Sequence, residues 1–374
     1  MIVELINKFS HKFLNKILLN FNVTDNIAFG GPSLYILLGA ISVATRGRVQ
    51  EQIYSLLNYG FYGLSDPKNP THTDSAERWL YYRRSIEFLL ESNSVLYHST
   101  RITPYYTGIT KRVFNIESNL IDFQTSGHLV NKWVERKTHG LCGDLLIGPW
   151  RTPSQFEVMM VFINAFIFHE DWARPFEKLP HPEIFVDDKG RKLSVTMMVQ
   201  KGIYRYFEEN INAFQFIFIP FAKKDLFAAI FLPRETVNLK SFIKDFNWNS
   251  VFRFFQYSQL HNVRVKIPKL KILSRLNIAE TLQNFEIQAP FHAMISDFSG
   301  MTNQRGFIAN LTQVSNFIVD ESGPRDYNPN LNKGPEIKSN ETIFDANRPF
   351  LFLVYSSYLR LILLTVVVTN PNAE

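Results

Sequence analysis

The sequence predicts one large α+β domain, and three observations support this class. Helical patterns come first along the chain, strand patterns dominate the rest, and no linker separates the two groups. The 34 phenylalanines indicate a densely packed core that contains much sheet. With 45% hydrophobic and 20% charged residues, the 374-residue chain has the composition of a soluble globular protein. We therefore expect a single domain over residues 1–374.

The helices are predicted by apolar spacing and by caps. The first segment carries apolar residues three and four positions apart and is interrupted by charges, so it is an amphipathic helix rather than a secretion signal. Ser33 caps an almost wholly apolar helix that must be buried. Further helical patterns cover residues 49–57, 76–90 and 130–137.

The strands are predicted by continuous or alternating apolar runs. Residues 157–168 suit a buried central strand. Residues 215–220 and 226–233 read as a strand pair, and residues 263–272 as an edge or bent strand broken at Pro268. The apolar stretch 350–369 is divided by Ser356, Ser357 and Arg360, which predicts two buried strands joined by a turn rather than a membrane span.

Several function classes are disfavoured. No nucleotide-binding, hydrolase or zinc-protease motif is present, so we expect neither an enzyme nor a cofactor. Cys142 is the single cysteine, which excludes an internal disulfide, and with His139 it has no second pair of ligands for a metal. A net charge of +6 is weak support for nucleic acid as a partner.

One segment differs in composition from its surroundings. Residues 323–349 contain four prolines and five asparagines and lie between apolar strands. Loops longer than about 12–15 residues without secondary structure are uncommon in compact domains and are usually functional or disordered. The segment therefore predicts an exposed functional loop, with a tolerated insertion as the alternative.

Two further features concern surface chemistry. Three arginines beside aromatic residues form either a solvated face or a site for a polyanion such as a sulfated glycan: Arg78, Arg83 and Arg84. Three glycosylation sequons begin at Asn22, Asn310 and Asn340.

Several ordered segments resemble the serpin family of serine protease inhibitors over nearly the full length. They are residues 26–47, 130–146 (VNKWVERKTHGLCGDLL), 161–177 (VFINAFIFHEDWARPFE), 197–202, 263–272, 297–302 (DFSGMT), 348–354 and 368–371. The resemblance implies a monomeric fold of three β-sheets with eight or nine helices and an exposed reactive loop at residues 323–349. It also implies a mechanism in which a serine protease cleaves the loop, which then inserts as a new central strand and distorts the enzyme. Apart from the resemblance, the single cysteine fits a reducing compartment, so we expect the cytoplasm or non-classical secretion, or the extracellular space if a signal peptide was removed.

The resemblance also places the bond offered to the protease. Counting forward from Gly323 gives Ile337, and counting back from Pro349 gives Lys338. We favour Lys338–Ser339 because the specificity pocket of a trypsin-like protease carries an acid that pairs with lysine. Ile337 remains the alternative, and a glycan on Asn340 would hinder docking.

The hinge of this loop departs from the family pattern. Glu321, Ser322 and Gly323 resemble the family's hinge entry, but Pro324, Arg325 and Asp326 replace its small residues. Proline is essentially excluded from central strands, and a buried unpaired polar side chain costs about 1–3 kcal/mol. We therefore expect weak or absent trapping. The alternatives are a working inhibitor of a trypsin-like protease and a non-inhibitory, polyanion-binding serpin.

The region that resembles the family's sheet-opening segment also departs from it. Ser33 is kept, whereas Gly30 stands where the family has a serine and Gln313 where it has a histidine. We expect Gln313 to hydrogen-bond to Asn164, because both side chains are amides. Trp172 lies in the family's tryptophan turn.

Overall fold

The computed structural model describes residues 2–20, 26–58, 60–61, 63–64, 73–140, 153, 156–209, 214–325, 327 and 341–373. By internal contacts the chain forms two compact units. The first comprises Met1–Ile17, Gly30–Ile167 and Leu273–Asn316, and the second comprises Leu18–Phe29, Phe168–Ile272 and Phe317–Glu374.

The residues that the structure describes form ten α-helices, one or two more than expected. They are α1 Ile2–Asn20, α2 Gly31–Ala44, α3 Gly47–Leu56, α4 Asp74–Leu89, α5 Pro104–Ile109, α6 Phe123–Ser126, α7 His128–Lys137, α8 Leu239–Asp245, α9 Val251–Tyr257 and α10 Ile278–Asn284. A π-helical turn at Thr110–Phe114 continues α5, and 3-10 turns lie at Trp248–Ser250 and Ala289–Phe291. The prediction that Ser33 caps α2 was wrong, because the N-cap is Gly30 and Ser33 lies inside the first turn. None of the described helices is long and apolar enough to cross a membrane.

A five-stranded sheet contains the central strand predicted at residues 157–168. Its order is β12 (Leu270–Asn277), β13 (Arg305–Val319), β4 (Glu157–Phe168), β2 (Glu91–His98) and β3 (Ile116–Leu120). Eleven of the twelve residues of β4 are buried, as expected for a strand covered on both faces. Strands β13 and β4 are direct neighbours, so no further strand lies between them.

A nine-stranded sheet lies in the second unit. Its order is β1 (Ile27–Phe29), β16 (Leu361–Val368), β15 (Phe350–Ser356), β10 (Leu226–Pro233), β9 (Phe214–Pro220), β8 (Met197–Glu209), β11 (Gln259–Pro268) and β14 (Thr342–Asp345), and β5 (Glu177–Lys178) also pairs with β8. The third sheet is the hairpin of β6 (Glu183–Val186) and β7 (Lys192–Val195). The strand pair β9–β10 and the two C-terminal strands were predicted correctly.

The segment at residues 263–272 differs from its prediction. Strand β11 ends at Pro268 and β12 begins at Leu270, so the break falls where expected. However, β11 is not an edge strand, because β8 pairs with it on one side and β14 on the other. Its proline is tolerated because it is the last residue of the strand.

Stacked phenylalanines account for much of the core of the second unit. The rings of Phe216 on β9 and Phe231 on β10 lie 3.6 Å apart and nearly parallel. Phe242 from α8, Phe246 directly after that helix and Phe254 from α9 pack around them. The high phenylalanine count therefore does reflect a sheet covered by short helices.

Candidate functional site

The candidate site is the hinge that follows β13 and leads into the loop. Strand β13 ends at Val319, and the described chain continues from Asp320 to Arg325, includes Tyr327 and resumes at Glu341, just ahead of β14. The predicted reactive-bond residues lie outside the described residues, as do one hinge residue and two sequons: Ile337, Lys338, Ser339, Asp326, Asn22 and Asn340.

Three hydrogen bonds hold the hinge backbone to the segment that follows β4. The indole Nε1 of Trp172 donates to the carbonyl of Asp320 at 2.8 Å, and the backbone N–H of Trp172 donates to the carbonyl of Ser322 at 2.9 Å. The backbone N–H of Phe176 donates to the carbonyl of Glu321 at 3.1 Å. Trp172 itself is 1% exposed and stacks on Phe221, with ring centroids 4.5 Å apart. The hinge is therefore fixed against a rigid aromatic group.

A histidine contact and an ion pair add to this attachment. Nε2 of His169 lies 3.1 Å from the Asp320 carboxylate, and Nζ of Lys269 lies 2.6 Å from that of Glu321. The backbone N–H of Ser322 also donates to Asp320 at 2.9 Å. No sequence pattern indicated this contact between His169 and the hinge.

These contacts shift the two hinge carboxyls in the same direction. Burial acts to raise the pKa of Asp320, but hydrogen bonds from Ser322 and the pair with His169 outweigh it and lower that pKa below its ordinary value. The hydrogen bond from Lys269 lowers the pKa of Glu321, against the opposing effect of burial. Both hinge carboxylates are therefore stabilised in their charged form.

The residues after Ser322 restrict the hinge further. A Cβ on Gly323 would lie 2.9 Å from Pro175, so a larger residue would have to displace that ring. Pro324 is half-buried and has no backbone N–H to donate to a neighbouring strand, although its carbonyl accepts from Tyr327 at 3.0 Å.

A separate buried network joins the neighbouring strands β4 and β13. The Gln313 amide donates to Oδ1 of Asn164 at 2.7 Å, as expected, and the Ser33 hydroxyl donates to the same oxygen at 2.8 Å. The Asn164 amide in turn donates to Oγ of Ser94 on β2 at 3.0 Å. Asn164 and Gln313 are fully buried and Ser33 is 6% exposed. Trp172 takes no part in this network.

Gly30 completes the network in a way that the sequence did not reveal. Oε1 of Gln313 accepts from the Gly30 N–H at 2.9 Å, while Nε2 donates to the Gly30 carbonyl at 3.0 Å. A Cβ on Gly30 would lie 2.8 Å from the ring of Phe166 and 2.9 Å from Oγ of Ser33. Positions 30 and 313 are therefore linked directly, because the Gln313 amide bonds to both backbone groups of residue 30. The space for a side chain at position 30 is limited by Phe166 and Ser33.

A comparison with models of known protein families identifies the family of this chain. The family model described as serpin (serine protease inhibitor) matches residues 4–371. This chain belongs to the serpin family. The description of the family is that of a serine protease inhibitor.

Individual relatives of this serpin are distant but match over most of their length. Human serpin I2 is 24% identical over 368 residues, covering 94% of this chain and 87% of the relative. The leukocyte elastase inhibitor of Xenopus tropicalis is 24% identical over 360 residues, covering 92% and 93%. Native protease nexin-1, solved with heparin, has a TM-score of 0.83 at 19% identity and covers 99% of both chains. At this identity the structural likeness shows the fold, including its three sheets.

The serpin does not present its three predicted arginines together. Arg78 and Arg84 are exposed, and at six positions apart on α4 they point about 120° from each other. Arg83 is buried, donates from Nε to the carbonyl of Val113 at 2.8 Å, and pairs with Glu87. It lies on the apolar stripe of α4 between Trp79 and Ile86, a spacing that the sequence did contain.

The sequon at Asn310 lies in an unusual place for an acceptor. Asn310 is within β13, is half-buried, and accepts a hydrogen bond from the hydroxyl of Thr312. Glycosylated asparagines are expected on exposed loops. The serpin's described residues also contain no cluster of three or more side chains that could hold a metal ion.

Proposed function

We propose that this serpin presents Lys338–Ser339 as a cleavable bond to trypsin-like serine proteases and does not trap them efficiently by loop insertion. The observation that carries the proposal is the hinge, in which Pro324 follows Gly323 while the backbone of Asp320–Ser322 is bonded to Trp172 and Phe176. Insertion has to outrun hydrolysis of the acyl-enzyme, so anything that delays the hinge favours release of an active protease.

The hinge chemistry opposes insertion at two stages. Leaving its native position breaks the backbone hydrogen bonds and the pairs with His169 and Lys269. Entering the sheet then places Pro324 and Asp326 at inward positions, where neither a ladder hydrogen bond nor a polar partner is supplied. Both effects slow the step that distorts the protease.

The buried network supports the same proposal. A new central strand would enter between β4 and β13, whose side chains Asn164 and Gln313 bond to each other across the pair. Separating them leaves buried amide groups unpaired unless the inserted segment supplies partners. Asp326 and Asn328 would enter at inward positions that the family fills with small residues, so their polar side chains would themselves be left unpaired.

The far end of the loop is also anchored, which suits presentation of a bait. Glu341 forms an ion pair with Lys201 on β8 at 2.9 Å, and β14 begins at the next residue and pairs with β11. The proposed bond therefore lies in a loop held at the hinge on one side and within three residues of Glu341 on the other. A protease can bend such a loop into its cleft while both ends remain attached.

The test is incubation with trypsin followed by a denaturing gel and mass spectrometry. We expect cleavage after Lys338 with little or no SDS-stable complex. A stable complex in near-stoichiometric yield would support the alternative, a working inhibitor. Because Arg325 and Lys333 also precede trypsin-sensitive bonds, Lys338→Gln is the control variant, and it should lose only the cut after Lys338. If Ile337 is the reactive residue instead, an elastase-like enzyme will cleave where trypsin does not.

A sulfated glycan is the second candidate partner. Support comes from the heparin in the solved protease nexin-1 structure and from the exposed Arg78 and Arg84. Lys111, which follows α5, is also exposed. Arg83 is left out because its guanidinium is already paired.

Heparin chromatography tests this second candidate. We expect Arg78→Gln combined with Arg84→Gln to elute at lower salt than the unaltered chain, because each lost cation removes a salt-dependent contact. Unchanged elution would exclude these arginines as the site. Arg253→Gln, an exposed arginine on α9, is the matched control.

A further inference from the structure

A cavity of about 510 Å³ opens in the second unit, away from the hinge residues. It is bounded by the connection between β10 and α8, the turn of the β6–β7 hairpin, and the residues before β15 and after β16. Val186, Pro233, Val237 and Leu239 supply apolar surface. Its volume falls within the range of about 300–1,000 Å³ that is usual for small-molecule sites.

Arg348 gives the cavity a cation with unused donors. Its Nε donates to the carbonyl of Pro233 at 2.7 Å and Nη1 to Oδ1 of Asn347 at 3.2 Å. A guanidinium has five N–H groups, and the described residues offer partners to two of them. Burial lowers the pKa of Arg348, against the opposing charges of Glu235 and Asp345, which indicates that water screens this cation poorly.

Thr369 adds a second unsatisfied group in the same cavity. It is 2% exposed, and its hydroxyl has no hydrogen-bond partner among the described residues. A buried hydroxyl without a partner is costly, so its position is explained if something else bonds to it.

The acidic residues of the cavity do not cancel this preference. The buried carboxylate of Asp187 already accepts from the backbone of Lys189 and Arg191 and from Nε of Arg191. Asp188 and Glu235 also line the cavity but are exposed, so water screens their charges. The charge that remains half-buried and unneutralised beside the apolar lining is therefore the positive charge of Arg348.

We propose that this cavity binds a small amphipathic organic anion, whose carboxylate or sulfonate bonds to Arg348 and Thr369 and whose apolar part packs against Val237 and Leu239. A charged acceptor suits the spare guanidinium donors, and an apolar body suits the lining. The site is independent of the reactive loop, so it stands whether or not the serpin traps proteases.

Two fluorescent probes of similar shape test the charge requirement. One is 1-anilinonaphthalene-8-sulfonate, and the other is its uncharged analogue N-phenyl-1-naphthylamine. We expect the sulfonate to bind the full chain more tightly than the neutral probe, and Arg348→Gln to weaken only the sulfonate, by about tenfold or more. Equal affinities for both probes, or no effect of Arg348→Gln, would overturn the proposal.

Further variants keep the test decisive if Arg348→Gln does not fold. Thr369→Val preserves shape and removes a hydroxyl that bonds to nothing in the described residues, so the fold should persist while sulfonate affinity falls several-fold. Thr236→Trp places a large ring at an exposed lining position and should abolish binding of both probes. Arg253→Gln makes the same charge change outside the cavity and should alter neither. Retained sulfonate binding in both Thr236→Trp and Thr369→Val would contradict the site.

Discussion

Gly30 and Gln313 show how a departure at one residue can be answered at another. A histidine or a serine at these positions would supply different atoms, but the longer glutamine reaches the Gly30 peptide and bonds to its N–H and its carbonyl at once. Considered singly, the glycine at position 30 and the glutamine at position 313 suggested that the hydrogen-bond network of the sheet-opening region is weakened. Together they form a fully paired one, because every polar atom of the Gln313 amide has a partner.

Gly30→Ala tests this reading directly. The new methyl group would lie 2.8 Å from Phe166, which is fully buried and has no space to move. We expect the variant to lose about 1–3 kcal/mol of stability through overpacking. Gly108→Ala is the control, because a Cβ there meets nothing within 4 Å. Replacing a glycine within a helix by alanine stabilises the protein by about 0.5–1 kcal/mol, so this variant should not lose stability. Thermal unfolding of both variants is the measurement, and equal midpoints would refute the account.

The hinge carboxylates make a pH-dependent contribution to stability. Asp320 and Glu321 both have a pKa below their ordinary values of 3.8 and 4.5. A group whose pKa is lowered by folding stabilises the folded chain above its unfolded pKa and loses that contribution as the pH falls through the folded one. Their stabilisation is therefore complete near neutral pH and disappears in acid.

A double variant isolates this contribution. We expect Asp320→Asn with Glu321→Gln to lower the urea midpoint near neutral pH, and the difference from the unaltered chain to shrink below about pH 4. The measurement is a series of urea titrations across that range. A difference that stays constant down to pH 3 or so would mean that the carboxylate charges do not hold the hinge.

At the scale of the elements, the hinge carries the proposal that this serpin traps proteases weakly. The sequence indicated the obstacle to insertion, namely Pro324 and Asp326. It did not indicate the attachment to Trp172, His169 and Lys269, because those contacts join residues about 50 to 150 positions apart. The hinge therefore offers two separate reasons to expect slow loop insertion, namely its residues Pro324 and Asp326 and the attachment of its backbone and carboxylates.

Restoring a small-residue hinge separates the two sources. We expect Pro324→Thr combined with Asp326→Ala to increase the yield of SDS-stable complex with trypsin, because a ladder donor returns and a polar inward side chain is removed. Arg325→Ala, which changes an outward position, is the matched control and should leave the yield unchanged. No gain in the double variant would mean that the native attachment of the hinge, or the buried network, limits insertion.

The strands and helices were predicted well where the apolar pattern is strong, as in β4 and in the C-terminal pair β15–β16. Predictions failed where pairing across the sheet decides the outcome. Strand β11 was expected at an edge because of Pro268, yet β14 covers it, and no local pattern reveals a partner about 80 residues away. Arg83 was grouped with exposed arginines because its sequence neighbours are basic, although the helical period already placed it on the buried stripe.

At the scale of the whole molecule, the family resemblance predicted the three sheets, which local patterns could not. The candidate site was predicted in part: its residues were named, but the network around Gly30 and the pairing of His169 required the fold. The cavity beside Arg348 and Thr369 had no sequence signal at all. It is built from four separate segments of the chain, and only packing brings them together.

The central claim is that cleavage of the loop is not followed by its insertion. The most direct measurement is the melting temperature before and after trypsin cleaves at Lys338, using a chain with Arg325→Gln and Lys333→Gln so that this is the loop bond cut. Insertion adds a central strand and would raise the midpoint greatly. We expect a change of less than about 5 °C, since about 1 kcal/mol moves the midpoint of a large domain by about 2–4 °C. A rise several times larger would contradict the account.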